Sequence, residues 1–205
     1  MSTERAGGDG IRAQRREQSR RALVDEAARQ FAAHGYAAVG LDDVVQAVGM
    51  TKGALYHHFG SKADLFRAVL EGVQHEVAAR VAAAADAEHD PWTQLEAGCR
   101  AFLVASTAPE VQQIMLIDGP AVLGWAQWRE MDEAASGRLL AEALTGLVEA
   151  GTIAAVPVEP LTRLLSGAMN EAALWLAHSR DPAQDLADTW GALSRLLTAL
   201  PDRAG

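Results

Sequence analysis

Cysteine is almost absent from this sequence, because Cys99 is the single cysteine in 205 residues. One cysteine can form neither an internal disulfide nor the cysteine pair of a zinc or redox site, so we interpret Cys99 as a small buried apolar residue. Long apolar runs are missing too: the longest uncharged ones, such as 119–128 and 151–158, are far shorter than the roughly 20 residues of a membrane helix. The N-terminus is basic but has no apolar segment of a secretory signal. We therefore expect no membrane helix and a cytoplasmic protein.

Catalytic and metal-binding motifs are also missing. The sequence contains no G-x-S-x-G, G-x-G-x-x-G, P-loop or H-E-x-x-H pattern, which makes an enzyme the weaker hypothesis. His57 and His58 are adjacent, and successive helical side chains point about 100° apart, so this pair does not converge on one ion. The other histidines have no ligand spacing: His34, His75, His89 and His178. We expect no catalytic residue, no metal and no cofactor.

Lysine is nearly as scarce as cysteine, since Lys52 and Lys62 are the two lysines of the chain. The net charge of -9 argues against a polyanionic partner, but the charge is segregated. Residues 1–62 carry nine Lys+Arg against seven Asp+Glu, whereas residues 63–205 carry nine against twenty. Both lysines lie in the basic part, on either side of the paired histidines. Such placement is typical of a nucleic-acid contact on an otherwise acidic protein.

What the sequence does contain is helical periodicity, which predicts an all-α protein. Residues 12–34 form an amphipathic helix that Gly35 ends. Residues 41–48 form a short second helix, and Thr51 is a suitable N-cap for a third helix that reaches Phe59. Two short helices joined by a glycine-containing turn are typical of a helix-turn-helix.

The rest of the chain predicts further helices. Ser61 to Asp64 resembles a capping box at the start of a long fourth helix. Later helices are separated at prolines: Pro91, Pro109, Pro120, Pro157 and Pro182. The last two helices carry strong apolar stripes, and small residues cover additional faces of the first of them. One chain does not supply enough partners for these faces, so we expect a second subunit there.

The third predicted helix has a polar side suited to the major groove of DNA. Leu55 and Phe59 are four residues apart and would face the core. The residues left to point outward are Thr51, Lys52, Gly53, Tyr56 and His57. Phosphate contacts are expected from Lys62 and from the arginines of the first helix: Arg12, Arg16 and Arg20. A solvated arm is the alternative for these arginines, but five arginines against one glutamate in residues 12–21 favour phosphates.

The run LDDVVQAVGMTKGALYHHFGSKADLF resembles the DNA-binding region of the tetracycline repressor (TetR) family, and the resemblance covers roughly residues 12–66. It implies that Tyr56 and Lys62 contact phosphates, while Lys52, Gly53 and His57 face the groove and His58 lies near the backbone. Val39-Gly40 is a departure, because the family usually has hydroxyl residues there that cap the second helix and touch a phosphate.

The resemblance also implies an architecture and partners. We expect a disordered arm at 1–11, a helix-turn-helix domain at 12–60, and a ligand-binding and dimerisation domain at 61–205, with about nine helices in total. The implied protein is a homodimer through its last two helices, about 159–200, that binds a palindromic double-stranded DNA operator. It would be a repressor that a small apolar or amphipathic effector releases from DNA. The alternative is an acidic helical enzyme or small-molecule carrier with an incidental helix-turn-helix.

The effector would bind among the middle helices, where large apolar residues and a few polar ones are concentrated. The apolar candidates are Trp92, Phe102, Met115, Trp125, Trp128, Met131 and Trp175. The polar candidates are Asp118, Asn170 and Glu171. The alternatives are core packing for the apolar residues, helix termination for Asp118, and surface or interface polarity for the other two.

Overall fold

The computed structural model describes the backbone of residues 4–200 and the side chains of residues 10–200. Within these residues the chain forms nine helices when directly joined α and π segments are counted as one, and two of the nine alternate between α and π geometry. The α-helical segments are α1 (Glu4–Ala38), α2 (Leu41–Ala47), α3 (Lys52–His58), α4 (Lys62–Asp86), α5 (Pro91–Ser106), α6 (Pro109–Val111), α7 (Gly119–Leu123), α8 (Trp125–Asp132), α9 (Arg138–Glu149), α10 (Val158–Leu176) and α11 (Pro182–Leu197). The π-helical segments are Gln112–Asp118, between α6 and α7, and Glu133–Gly137, between α8 and α9. The predicted all-α class and helix number are confirmed.

The first helix is longer at its N-terminus than expected. It begins at Glu4, so residues 4–11, which we expected in a disordered arm, are helical; residues 1–3 lie outside the described part. A helix that is already nucleated by packing gains one backbone hydrogen bond for each residue it adds. Gly35 interrupts α1 with φ 75° and ψ 156°, a conformation that favours glycine. The predicted break at Gly35 is confirmed.

The chain divides into two compact units, Met1–Leu70 and Glu71–Gly205. The division falls within α4, whereas we expected a boundary between residues 60 and 61. The first turns of α4 belong to the first unit because their apolar side chains complete its core. The Phe66 ring, for example, packs edge-on against Phe31 at a centroid distance of 5.5 Å.

The core of the first unit is formed by α1, α2, α3 and the start of α4. Its buried side chains are Leu23, Ala27, Phe31, Val44, Val45, Leu55, Phe59, Leu65, Phe66, Val69 and Leu70. These residues keep the helical spacing that the sequence shows, so one face of each short helix is covered. The opposite face of α3 is left toward solvent.

The second unit packs α5 against α9, α10 and α11. Its largest fully buried side chains are Leu103, Ile114, Met115, Leu144, Leu147 and Leu197. Helix α10 has two apolar faces: Leu165 and Met169 are buried, whereas Leu164 is 72% exposed and Trp175 is 53% exposed.

The π-helical segment Gln112–Asp118 leaves one main-chain carbonyl without a main-chain donor. In π geometry the carbonyl of Met115 would accept from residue 120, but Pro120 has no N–H. The indole Nε1–H of Trp128 supplies the missing donor at 2.7 Å. Gly119 permits this approach, since a Cβ there would lie 2.7 Å from the Trp128 ring. Trp128 is therefore fixed in the core.

Candidate nucleic-acid interface and effector cavity

Helix α3 presents a polar face above two buried anchors. Its N-cap is Thr51, whose Oγ1 accepts a hydrogen bond from the Ala54 N–H at 3.2 Å, which confirms the predicted cap. Leu55 and Phe59 are buried on the inner side. On the outer side Tyr56 is 52% exposed, and the exposed residues beside it are Thr51, Lys52, Gly53 and His57. An exposed polar helix face of this kind fits a major groove.

Lys52 does not project alone from this face. Its Nζ lies 2.7 Å from Oδ2 of Asp42 in α2, and both side chains are largely exposed. The hydrogen bond to Asp42 raises the pKa of Lys52. The pair joins the first turn of α3 to α2, and it leaves an anionic group on the surface that we expect to meet DNA.

Lys62 has partners inside the first unit. Its Nζ donates to the main-chain carbonyl of Tyr36 at 2.5 Å and lies 4.1 Å from the centroid of the Tyr36 ring. The tyrosine ring in turn contacts Phe31 and Phe66. Burial raises the pKa of Tyr36. Lys62 thus holds the chain after the Gly35 break, a role that the sequence did not suggest.

The N-terminus of α2 lacks a hydroxyl cap, as the sequence indicates. Its N-cap is Gly40, which has no side chain, and Asp43 compensates by accepting from the Gly40 N–H through Oδ2 at 3.2 Å. A Cβ on Gly40 would lie 2.9 Å from that oxygen. The Asp43 hydrogen bond therefore depends on glycine at position 40, because a larger residue there would crowd the Asp43 carboxylate.

The end of α3 lies among the arginines of α1. Burial is the main cause that lowers the pKa of His58, and the nearby charges of Arg16, His57 and Arg20 lower it further, against an opposing effect of Glu17. The guanidinium of Arg20 also lies 5.6 Å from the centroid of the Phe59 ring. Arg12 is exposed farther along α1. The structure thus brings Arg16, Arg20 and the two histidines together.

A cavity of about 260 Å³ lies within the second unit, between α4, α5, α9 and α10. Its walls are mostly small or aliphatic side chains together with Phe102 and Met169, and its polar members are Asp86, Gln94, Ser136, Glu142 and Ser166. The small members are the ones that leave the space open: Ala82, Ala85, Gly98, Cys99, Gly137 and Ala143. Burial raises the pKa of Cys99 to about 12, so at neutral pH its thiol is almost entirely protonated and reacts slowly.

Phe102 is the one member of our ten effector candidates that lines this cavity. Three of the other candidates are buried away from it: Met115, Trp128 and Asn170. Three are exposed: Trp125, Glu171 and Trp175. Three are partly exposed: Trp92, Asp118 and Met131. The candidates are mostly large residues, whereas a cavity forms where side chains are too small to fill the space between helices.

A buried polar network joins α8 to α10 behind the cavity wall. Asp132, which is 2% exposed, receives Oδ2 contacts from Arg129 at 2.9 Å, Asn170 at 3.1 Å and Ser166 at 3.4 Å. Arg129 also donates to the Ser166 hydroxyl at 2.9 Å. Burial raises the pKa of Asp132, partly offset by Arg129. Asn170, one of the polar effector candidates, donates to the carboxylate of Asp132 in this network.

Neither a metal-binding group nor a membrane-spanning helix is found among the described residues. Among residues 10–200, no group of three or more His, Cys, Asp or Glu side chains is placed to hold a metal ion. Across the part of the chain that the structure describes, no helix is both long and apolar enough to cross a membrane.

These features define a helix-turn-helix unit followed by a helical unit with an internal cavity. A family model described as "Bacterial regulatory proteins, tetR family" matches residues 23–69. Another, "Tetracyclin repressor-like, C-terminal domain", matches residues 92–200, more than half of the chain. The protein belongs to the tetracycline repressor family, which is a family of regulatory proteins and not of enzymes.

Individual relatives agree with this assignment. The chain is 34% identical to a TetR-family transcriptional regulator from Pectobacterium atrosepticum, with a TM-score of 0.78 over 93% of this chain and 97% of that one. It is 35% identical over 84 residues to the probable acrEF/envCD operon repressor of Escherichia coli K12, covering 38% of this chain and 36% of that protein. It is 41% identical over 64 residues to the repressor AcnR of Corynebacterium glutamicum, covering 31% and 32%. The chain thus spans about a third of these curated relatives.

Proposed function

We propose that this protein is a cytoplasmic, effector-responsive transcriptional repressor that binds a palindromic operator as a homodimer. The observation that carries the proposal is the two-sided α3, with Leu55 and Phe59 buried and Tyr56 and His57 exposed. A short helix of this length is not stable alone, so the packed side fixes the orientation of the other. The E. coli and C. glutamicum relatives are both named repressors, which supports repression here.

On DNA, we assign the two kinds of contact to different residues. Lys52, Gly53 and His57 face the groove and set sequence preference, with Thr51 at the start of the helix. Tyr56, His58 and Lys62 lie toward phosphates and set affinity, and the arginines of α1 add to them: Arg12, Arg16 and Arg20.

The dimer would form through α10 and α11. Leu164 and Trp175 on α10 and Leu196 on α11 are large apolar side chains that are more than half exposed. Ala168 lies between Leu164 and Trp175 on the same exposed side of α10 and allows close approach of a second backbone. Exposed apolar surface of this extent is typical of a subunit contact.

The cavity would hold the effector. Helix α4 contributes Val81, Ala82 and Ala85 to its wall and begins at Lys62. An effector that favours one position of α4 would therefore shift the balance between DNA-binding and released dimers.

A salt titration of the full-length protein on random duplex DNA tests the proposal. Each neutralised phosphate steepens the fall of affinity with salt, so we expect measurable binding at low salt that is lost as salt rises. Sequencing DNA selected from a random pool should then return a palindrome. Absence of any binding at low salt would favour the helical enzyme or carrier instead.

A further inference from the structure

The cavity in the second unit has walls of one charge sign. No lysine, arginine or histidine is among the described residues that line it, whereas Asp86 and Glu142 are. Glu142 is held by Arg138 at 2.7 Å, and Arg138 does not line the cavity. Asp86 is exposed at the end of α4. The negative charge at the opening is therefore carried mainly by Asp86.

The charged side chains next to the cavity wall do not make the cavity positive. Ser166 is the contact between the cavity and the buried network. In that network the guanidinium of Arg129 pairs with the carboxylates of Asp132 and Glu133, and Glu133 also pairs with Arg163, whose side chain is 54% exposed. Arg163 also pairs with Glu159 at 3.3 Å. A buried anion would thus find no uncommitted cation, and a buried charge without a partner is strongly unfavourable.

The size and lining of the cavity limit the uncharged part of a ligand. A cavity of 150 Å³ lined by Leu, Ile and Phe holds benzene. By proportion, a volume of 260 Å³ holds roughly ten non-hydrogen atoms. Phe102 and Met169 on the wall offer an aromatic ring and a thioether; both suit an aromatic ligand, and the phenyl ring also suits a cation.

We propose that the effector is a small aromatic amine bound as an organic cation. Its ring and short chain occupy the cavity between Phe102 and Met169, and its ammonium group lies at the opening beside Asp86. This inference rests on the effector role proposed for the cavity and adds the chemical class of the ligand.

Three probe compounds with the same ring test the class: 2-phenylethylammonium, 2-phenylethanol and phenylacetate. Each is added at pH 7 to the full-length protein, and the rate at which a maleimide alkylates the protein is followed by mass spectrometry. Cys99 is the single cysteine and lines the cavity, so an occupant slows its alkylation. Because Asp86 is exposed, we expect a moderate preference: about fivefold tighter binding of the cation than of the alcohol, and weaker binding again of phenylacetate.

Variants distinguish the effect of the Asp86 carboxylate from the effect of the cavity volume. Asp86→Asn should bring the cation and the alcohol to equal affinity, whereas Glu149→Gln, an exposed carboxylate of α9 outside the cavity lining, should leave the preference intact. Gly98→Leu fills the cavity and should abolish protection by all three compounds. If that variant does not fold, Asp86→Asn alone decides, since its site is exposed.

Equal protection by the three compounds, strongest protection by phenylacetate, or no protection at all would overturn the inference. The same samples are assayed on random duplex DNA without any probe. If the protein binds DNA but the probe compounds fail, the proposed ligand class is wrong and the proposed regulatory function is unaffected. Loss of DNA binding in the unmodified protein removes the regulator itself.

Discussion

The ammonium of Lys62 donates to the carbonyl of Tyr36 at 2.5 Å and lies 4.1 Å from the centroid of its ring. Lys62, which we expect to contact a phosphate, thus also connects the start of α4 to the segment of α1 that follows the break at Gly35. Lysine serves both purposes because its long stem packs on apolar rings while its head stays cationic.

We predict that Lys62→Met lowers both stability and DNA affinity. The methionine keeps the apolar stem but loses a charge-assisted hydrogen bond, which at a half-buried position should cost about 1–2 kcal/mol in the free energy of unfolding. Urea denaturation measures the stability, and fluorescence anisotropy with duplex DNA measures the affinity.

Arg67→Met is the matched control, because Arg67 is an exposed cation of the same helix. It should leave the unfolding midpoint unchanged. If Lys62→Met were equally neutral in urea and weakened DNA binding alone, Lys62 would be a phosphate contact without the bracing role.

Local rules explain which parts of this fold could be predicted from sequence. Thr51 caps α3, Gly35 breaks α1, and Pro91 begins α5 because each effect depends on a few neighbouring residues. The Ser61 cap is likewise confirmed by a hydrogen bond from the Asp64 N–H at 3.1 Å. The Asp64 carboxylate departs from the box, since it accepts from the Ser61 hydroxyl.

Contacts between distant parts of the chain could not be predicted in this way. The Lys52–Asp42 and Lys62–Tyr36 pairs, and the Asp132–Asn170 bond across 38 positions, depend on how helices meet. The same limit explains why only one of the ten effector candidates, Phe102, lines the cavity. Periodicity places a tryptophan on an apolar face, but it does not distinguish a residue such as Trp128, which fills space, from one that borders an opening.

We predict that Asp42→Asn strengthens DNA binding. The carboxylate now pairs with Lys52 at 2.7 Å and would lie near phosphates of like charge. Its removal leaves the charge of the groove-facing Lys52 unopposed at the DNA surface, so the slope of log affinity against log salt should steepen by up to about 0.9. Anisotropy titrations at several salt concentrations give that slope. Glu71→Gln, an exposed carboxylate of α4, should leave the slope as it is, and an unchanged slope in Asp42→Asn would show that the ion pair does not restrain Lys52.

We predict that DNA binding takes up a proton through His58. Burial and the nearby arginines lower its pKa from 6.5 in the unbound protein, and a phosphate would raise it again. Affinity should therefore increase as pH falls from about 7.5 to 6. Stability should change with pH in the opposite direction to DNA affinity. Between the lowered pKa and 6.5 the unfolded chain binds more protons at His58 than the folded chain does. The free energy of unfolding therefore has its full value above pH 6.5 and decreases as the pH falls through this window.

His58→Gln should flatten the pH dependence of binding, whereas His34→Gln, an exposed histidine of α1, should preserve it. Parallel anisotropy series from pH 6 to 8 decide the matter. An identical pH dependence in wild type and His58→Gln would assign the proton to another group.

We predict that Arg129→Met destabilises the second unit strongly, because it leaves Asp132 buried without its cation. Removal of one partner from a buried pair costs about 3 kcal/mol or more. Burial already raises the pKa of Asp132, and loss of Arg129 raises it further. The folded state then binds the proton more tightly than the unfolded state, so the loss should be largest above the raised pKa and shrink as pH falls.

Urea denaturation at pH 5 and pH 8 measures both effects. The double variant Arg129→Met with Asp132→Asn keeps the donors from Asn170 and Ser166 paired with a neutral acceptor, and it should recover most of the stability. Additive losses in the double variant would show that the two residues do not act as a pair.

We predict that Leu164→Glu converts the protein from a dimer into a monomer. Leu164 is 72% exposed on α10, so the substitution removes no buried contact within the chain, but it would place a carboxylate in the apolar surface shared with Trp175 and Leu196. Light scattering after gel filtration gives the mass, and Ile117→Glu, at an exposed apolar residue outside α10 and α11, should remain dimeric. Because a palindrome needs two linked α3 helices, the monomer should also lose preference for the selected operator over random DNA. A dimer that survives Leu164→Glu but not Ile117→Glu would move the subunit contact to the π-helical segment Gln112–Asp118.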